Sequence, residues 1–214
     1  MPNWCSNKAT VIAKSESDLE RLLRLAKQGY NPEDDTDSPE RGRNVFMMDS
    51  IVPTPEHLVD KKIGVGDNEG FQHAINGDKT YNYADWYNWR LAHWGTKWDI
   101  SDVEIGDIYS PAKDKHTVTL WYNTAWSPNV AFWEHVCKLG PFEVELDYYE
   151  EGMGFIGASQ ISRDGTEENH QQVTEEMLVS IGAVVDENNE IDWDQSDVNM
   201  WDLFPLPLQG EKVK

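Results

Sequence analysis

The sequence predicts an α+β fold: a split β-α-β sheet with a large, mostly helical insertion and an acidic C-terminal extension. Three observations predict it. Strand-like alternation recurs at 3–13, 97–105, 116–123, 142–149 and 154–162. Helical periodicity with start and stop signals follows the first and the third of these. Carboxylates crowd into the last third of the chain.

The first segment, Asn3 to Ala13, mixes apolar and polar residues around Thr10-Val11-Ile12 and reads as a strand. Ser15 or Ser17 then caps a helix to about Lys27, with Leu19, Leu22, Leu23 and Ala26 on one stripe and Gly29 after it. Residues 31–44 form a charged loop with two prolines. Val45 to Val52 is a short strand candidate, and Thr54-Pro55 reads as a helix cap followed by the first helical position. Gly64 to Thr80 is Gly-, Asp- and Asn-rich and reads as loop with one helical turn. Tyr83 to Trp94 is the next helix, with Trp86, Trp89, Arg90 and His93 on one face and Gly95 ending it.

Lys97 to Ile105 and His116 to Asn123 read as strands. Ser127-Pro128 signals a helix start, Leu139 its end, and Gly140-Pro141 the stop. Phe142 to Tyr149 alternates strictly, and Gly154 to Ser162 pairs with it through the turn at Glu150–Met153. With 30–95 set aside as an insertion, the order is β-α-β then β-α-β-β, the ferredoxin-like plan with one added edge strand. This divides the chain into a ferredoxin-like domain over 1–164 and an acidic extension over 165–214, docked on it. In the extension, Val173 to Ile181 reads as a helix begun at Thr174, and 184–192 as a hairpin with an Asn-rich turn.

The chain has 214 residues, with 18 Lys and Arg against 39 Asp and Glu, a net charge of −21. That balance argues against a general nucleic-acid binder, which needs a basic face, and against docking on anionic membranes. Aromatic residues make up 11% and include ten Trp, so the acidity is not that of a disordered tail. No signal segment or membrane-spanning apolar run is visible, and Cys5 and Cys137 stand far apart in no metal-type spacing. The expectation is a cytoplasmic protein with two reduced thiols. The charge is uneven: residues 141–202 hold one basic residue, Arg163, and 17 acidic ones, a net of −16. Such a density raises on-rates for basic partners and weakens with salt.

Four motifs carry a family resemblance: MPNWCSN at 1–7, HWGTKWD at 93–99, NTAWSP at 123–128 and GMGFIGAS at 152–159. Together they resemble the YubB-like family of phage and conjugative-plasmid proteins, over residues 1 to about 162. The resemblance implies a ferredoxin-like fold, a phage or mobile-element setting and a bacterial cytoplasm. It brings no catalytic residues. Read physically, Trp4, Trp94, Trp98 and Trp126 are expected in the core, because each buries roughly 200 Å². The alternative is an open sheet face that shows Trp, Tyr and Lys97 to a ligand, with Asp99 alongside.

No catalytic constellation emerges. His135 and Cys137 are two apart on a helix and point away from each other. No GxSxG elbow occurs, and Gly64-Val65-Gly66 is neither a P-loop nor a dinucleotide fingerprint. Asp186, Asn188, Glu190 and Asp192 alternate as calcium ligands can, but the EF-hand's central Gly and final Glu are missing, so a hairpin with solvated carboxylates is the better reading. The six His show no metal-binding spacing, so neither a metal nor a cofactor is expected. The sequence therefore points to a non-enzymatic protein that binds a basic host protein through an acidic surface, as an inhibitor of a nucleic-acid-handling or defence protein. The candidate surface is Glu143, Glu145, Asp147, Glu150, Glu151, Glu167 and Glu168. The alternative is a small-ligand or nucleotide-binding protein, even an enzyme, with a pocket between the aromatic segment 81–98 and the sheet. Edge-to-edge pairing of the sheet into a homo-oligomer is a third option.

Overall fold

Alternation along β1 (Trp4–Ala13) sends Cys5, Asn7, Ala9, Val11 and Ala13 into the core and leaves the residues between them partly exposed. The computed structural model describes residues 3–28, 45–62, 68–188, 190–206 and 208. In it β1 lies between β4 (Lys115–Ala125) and β5 (Phe142–Glu150), antiparallel to both. β2 (Ser101–Ile105) and the short β3 (Tyr109–Ala112) pair with the far side of β4. β6 (Phe155–Ile161) and β7 (Thr166–Gln172) extend the sheet beyond β5. The order is β2-β4-β1-β5-β6-β7. β4 thus separates β1 from β2, the strand order of a ferredoxin-like sheet.

Two helices cover one face. In α1 (Glu16–Ala26) the Ser15 side chain accepts from the Asp18 amide, and Leu19, Leu22 and Ala26 are buried. α5 (Val130–Leu139) buries Phe132, Trp133, Val136 and Cys137. These meet Val118, Leu120, Tyr122, Val144, Leu146 and Tyr148 of the sheet in the main core. Between α1 and β2 come α2 (Glu56–Val59), α3 (Asn68–Ile75) and α4 (Trp86–Trp94), with a smaller core of Leu58, Ala74, Tyr83 and Ala92. Asp85 caps α4 by accepting from the Asn88 amide. Gly95 ends it at φ 85°, and a Cβ there would stand 2.8 Å from the Pro128 carbonyl oxygen, so only glycine fits.

Among the described residues, the other face is covered at one side only. Ile156 and Ala158 of β6 are buried with Leu206 and Leu208 of the C-terminal segment. Met177 of α6 (Glu175–Ser180) and Leu203 of the 3-10 turn Met200–Leu203 pack beside them. Toward β1 and β4 the same face stays accessible: Trp121, Glu143 and Glu145 are exposed.

Several local expectations are corrected. Val45–Val52 is not a strand but a turn, because the Asp99 carboxylate accepts from the Met48 and Asp49 amides in place of a neighbouring strand. Thr54 does not cap a helix; its hydroxyl donates to Asp49. α3 has two turns where one was expected. α5 starts after Asn129, not Ser127, because the Ser127 hydroxyl donates to the Gly95 carbonyl. β7 was not foreseen. The charged loop 31–44 and Gly64-Val65-Gly66 lie outside the described residues. Among the described residues, no helix is long and apolar enough to cross a membrane.

Candidate functional site

The period of two along β5 divides its acids between the faces of the sheet. Glu143, Glu145 and Asp147 fall on the helix-free face, while Val144, Leu146, Tyr148 and Glu150 fall on the helix face. Register carries the pattern outward: Thr10, Glu145, Gln160 and Glu167 stand in one cross-strand row. Glu143, Glu145, Glu167 and Asp164 of the β6–β7 turn line one cleft of about 470 Å³, floored by Ile12 and Gln160. Among the described residues no Lys or Arg lines it. A second cleft of about 460 Å³ shares Glu143 and Glu145 but adds Lys14 and Lys115. On the same face Lys8 Nζ stands 3.9 Å from Asp147 Oδ2. Partial burial nonetheless raises the Asp147 carboxyl above its ordinary range; Lys8 opposes this and Glu145 adds to it. Carboxylates outnumber cations on this face.

Two expected members of the acidic surface belong elsewhere. Glu150 is only 2% exposed, on the helix face, and accepts from the amides of Gly152 at 2.9 Å and Met153 at 2.5 Å. It braces the β5–β6 turn rather than facing a partner. Glu168 lies opposite Ser159 on the helix side and accepts from the Tyr148 hydroxyl at 2.5 Å. Glu151 is exposed, but at the far end of β5 from Glu143. Asp164 was missed, because the turn that carries it is set by the pairing of β6 with β7, a strand without an apolar residue to announce it.

The motif tryptophans also divide. Trp94 is fully buried, donates to the Val52 carbonyl at 2.9 Å and carries the Arg90 guanidinium 4.5 Å above its ring. Trp4, Trp98 and Trp126 are not core residues: they are 42%, 40% and 42% exposed. Lys97 Nζ sits 4.2 Å from the Trp98 ring centre and 5.7 Å from that of Trp126, and Trp4 lies 6.4 Å from Trp98. Trp126 takes φ 74°, and its amide donates to Asn3. The cause is positional: Trp4 starts a strand on its helix-free side, and Trp126 follows the last residue of β4. Asp99 is structural, accepting from three backbone amides.

Elsewhere, His93 Nδ1 and His135 Nε2 are 3.2 Å apart and the rings stack, a pairing no sequence spacing announced. Cys5 and Cys137 are separate, buried free thiols; burial pushes Cys5 well up and Cys137 up to about 12, so neither is a nucleophile at neutral pH. In the 186–197 stretch, Asp186 accepts from the amides of Asn188 and Glu190, and Val185 bridges Ile191. These carboxylates serve the turn. Segment 81–98 packs through Tyr83, Ala92 and Trp94 into the two cores, and the clefts described here take no lining from it.

Residues 93–195 match the family model described as the ferredoxin-like domain in Api92-like protein. The matched span runs from the end of α4 through β2–β7 to the 185–192 hairpin and so includes the whole acidic cleft except Ile12. The match names the Api92-like rather than the YubB-like family. No curated protein matches the chain. The crystal structure of the protein api92 from Yersinia pseudotuberculosis is similar at 8% identity and a TM-score of 0.42, covering 81% of this chain and 99% of that one.

Proposed function

We propose that this chain is a non-enzymatic binding protein that docks a basic segment of a partner protein on the helix-free face of its sheet. The observation that carries the reading is the cleft walled by Glu143, Glu145, Asp164 and Glu167, with no cation among the described residues that line it. Spaced carboxylates offer Lys and Arg the charge-assisted bonds that phosphates offer. A partner with a basic site that normally handles nucleic acid fits this chemistry, and occupying such a site inhibits it. We read 30–95 as an insertion into the ferredoxin-like plan and 165–214 as an extension whose first strand, β7, completes the acidic cleft with Glu167. The setting implied by the sequence motifs, a phage or mobile element inside a bacterium, suits an inhibitor of a host protein.

The test is titration of a Lys- and Arg-rich peptide at low and high salt. Binding is expected at low salt and weakens as salt rises. Changing Glu143, Glu145 and Glu167 to Gln removes about 0.5–1 kcal/mol each, so affinity falls roughly tenfold to a hundredfold. Affinity unchanged in that variant overturns the reading.

A further inference from the structure

A third cleft, of about 480 Å³, lies at the opposite end of β5, seven residues of strand and about 23 Å from Glu143. Its apolar lining is Val173, Leu178, Val198 and Met200. Trp193, 63% exposed, stands at its edge, and the exposed Glu151 and Asp197 supply its charge, while the carboxylate of Glu150, which also lines it, is taken up by the turn. Among the described residues none of these carboxylates has a Lys, Arg or His in ion-pair contact. Glu150 is held in place by two backbone amides, and the Trp193 loop is tied down locally: the Ser196 hydroxyl donates to the Asp192 carbonyl and accepts from the Val184 amide. The cleft thus combines apolar walls, an indole face and fixed negative charge. An aliphatic chain ending in a cation satisfies all three: the chain buries against Leu178 and Met200, and the cation meets indole and carboxylate.

We propose that this cleft is a binding site for an arginine or lysine side chain of a basic polypeptide partner. The site rests on the reading of the chain as a binder of basic protein, and gives that partner a second anchor beyond the sheet-face cleft. The Val173–Met200 walls exclude a bare inorganic cation as the best occupant, because it would leave the apolar surface uncovered.

The experiment uses the full chain and N-acetyl-arginine amide as probe, with N-acetyl-citrulline amide as its uncharged counterpart. The Trp193 indole N–H signal, assigned by its loss in Trp193→Phe, is followed by NMR. The arginine probe is expected to shift it saturably, and the citrulline probe at least about tenfold more weakly. Glu151→Gln with Asp197→Asn weakens the arginine probe about tenfold, whereas Glu143→Gln with Glu145→Gln leaves it unchanged. Both carboxylates changed are exposed, so the variant folds; Glu150 is left alone. Equal response to the two probes, or a silent Trp193 up to about 50 mM probe, overturns the proposal. A basic peptide that binds in a Glu143- and Glu145-dependent way while Trp193 stays silent overturns this cleft alone. A Trp193 response with no effect of the sheet-face variants on peptide binding supports this cleft and counts against the sheet-face reading.

Discussion

Gly157 has no side chain because Tyr148 occupies its space: the two are cross-strand partners, and a Cβ at 157 would meet the Tyr148 ring. Tyr148 in turn donates to Glu168, so one glycine lets an aromatic ring reach across to the edge strand. Gly157→Ala is expected to lower stability by about 1–3 kcal/mol, measured by chemical denaturation; Ala158→Gly, its neighbour on the other face, leaves the ring untouched and serves as the comparison. A second residue-scale prediction concerns His93 and His135. Burial lowers both to about 4, with His135 and Lys79 adding to it at His93, and Lys79 and Lys138 at His135, where Glu134 opposes it. Between about pH 4 and the ordinary histidine value near 6.5, the unfolded chain binds protons that the folded one does not. The contribution to stability is therefore full above pH 6.5 and is lost as pH falls toward 4. His93→Gln is expected to show a smaller fall in Tm between pH 7 and pH 4.5 than the unaltered chain; an equal fall contradicts the assignment.

At the scale of elements, the legible parts were those whose side-chain period had a core to answer to. β1, β4 and β5 alternate against α1 and α5, β6 is an apolar run buried on both faces, and the α1 stripe of Leu19, Leu22 and Ala26 is buried as its spacing requires. β7 was illegible because Thr166–Gln172 carries no apolar residue; it is a strand because the edge of β6 offers it a ladder. The segment 45–52 had strand-like residues but no strand beside it, and the Asp99 carboxylate took its amides. Of the candidate site, Glu150 could have been placed correctly, since it keeps phase with Val144, Leu146 and Tyr148. Asp164 could not, because a turn's direction is set by register and not by composition. The covering of Ile156 and Ala158 by Leu206 and Leu208 yields an element-scale prediction. Leu206→Ala and Leu208→Ala each cost about 2 kcal/mol or more, read as a lowered unfolding midpoint. No change would mean that the C-terminal segment is not held on the sheet in solution.

For the whole molecule, the decisive property is that charge and topology act together. Of the net −21, −16 belongs to residues 141–202, which supply β5, β6, β7 and α6. The antiparallel register then concentrates Glu145 and Glu167 in one row, while the alternation turns Glu150 and Glu168 to the other face. Glu143, Glu145, Asp164 and Glu167 meet in one cleft at the end of the helix-free face, and among the described residues no Lys or Arg lines it. Association with a basic partner should accordingly be fast and slow down with ionic strength, with dissociation less affected. The measurement that tests this most directly is mapping of backbone amide NMR shifts while a Lys- and Arg-rich peptide is added at low salt. The account predicts that shifts cluster around Ile12, Glu143, Glu145, Gln160, Asp164 and Glu167 and disappear at high salt. Shifts confined to the α1 and α5 side of the sheet, or none at either salt, would contradict it.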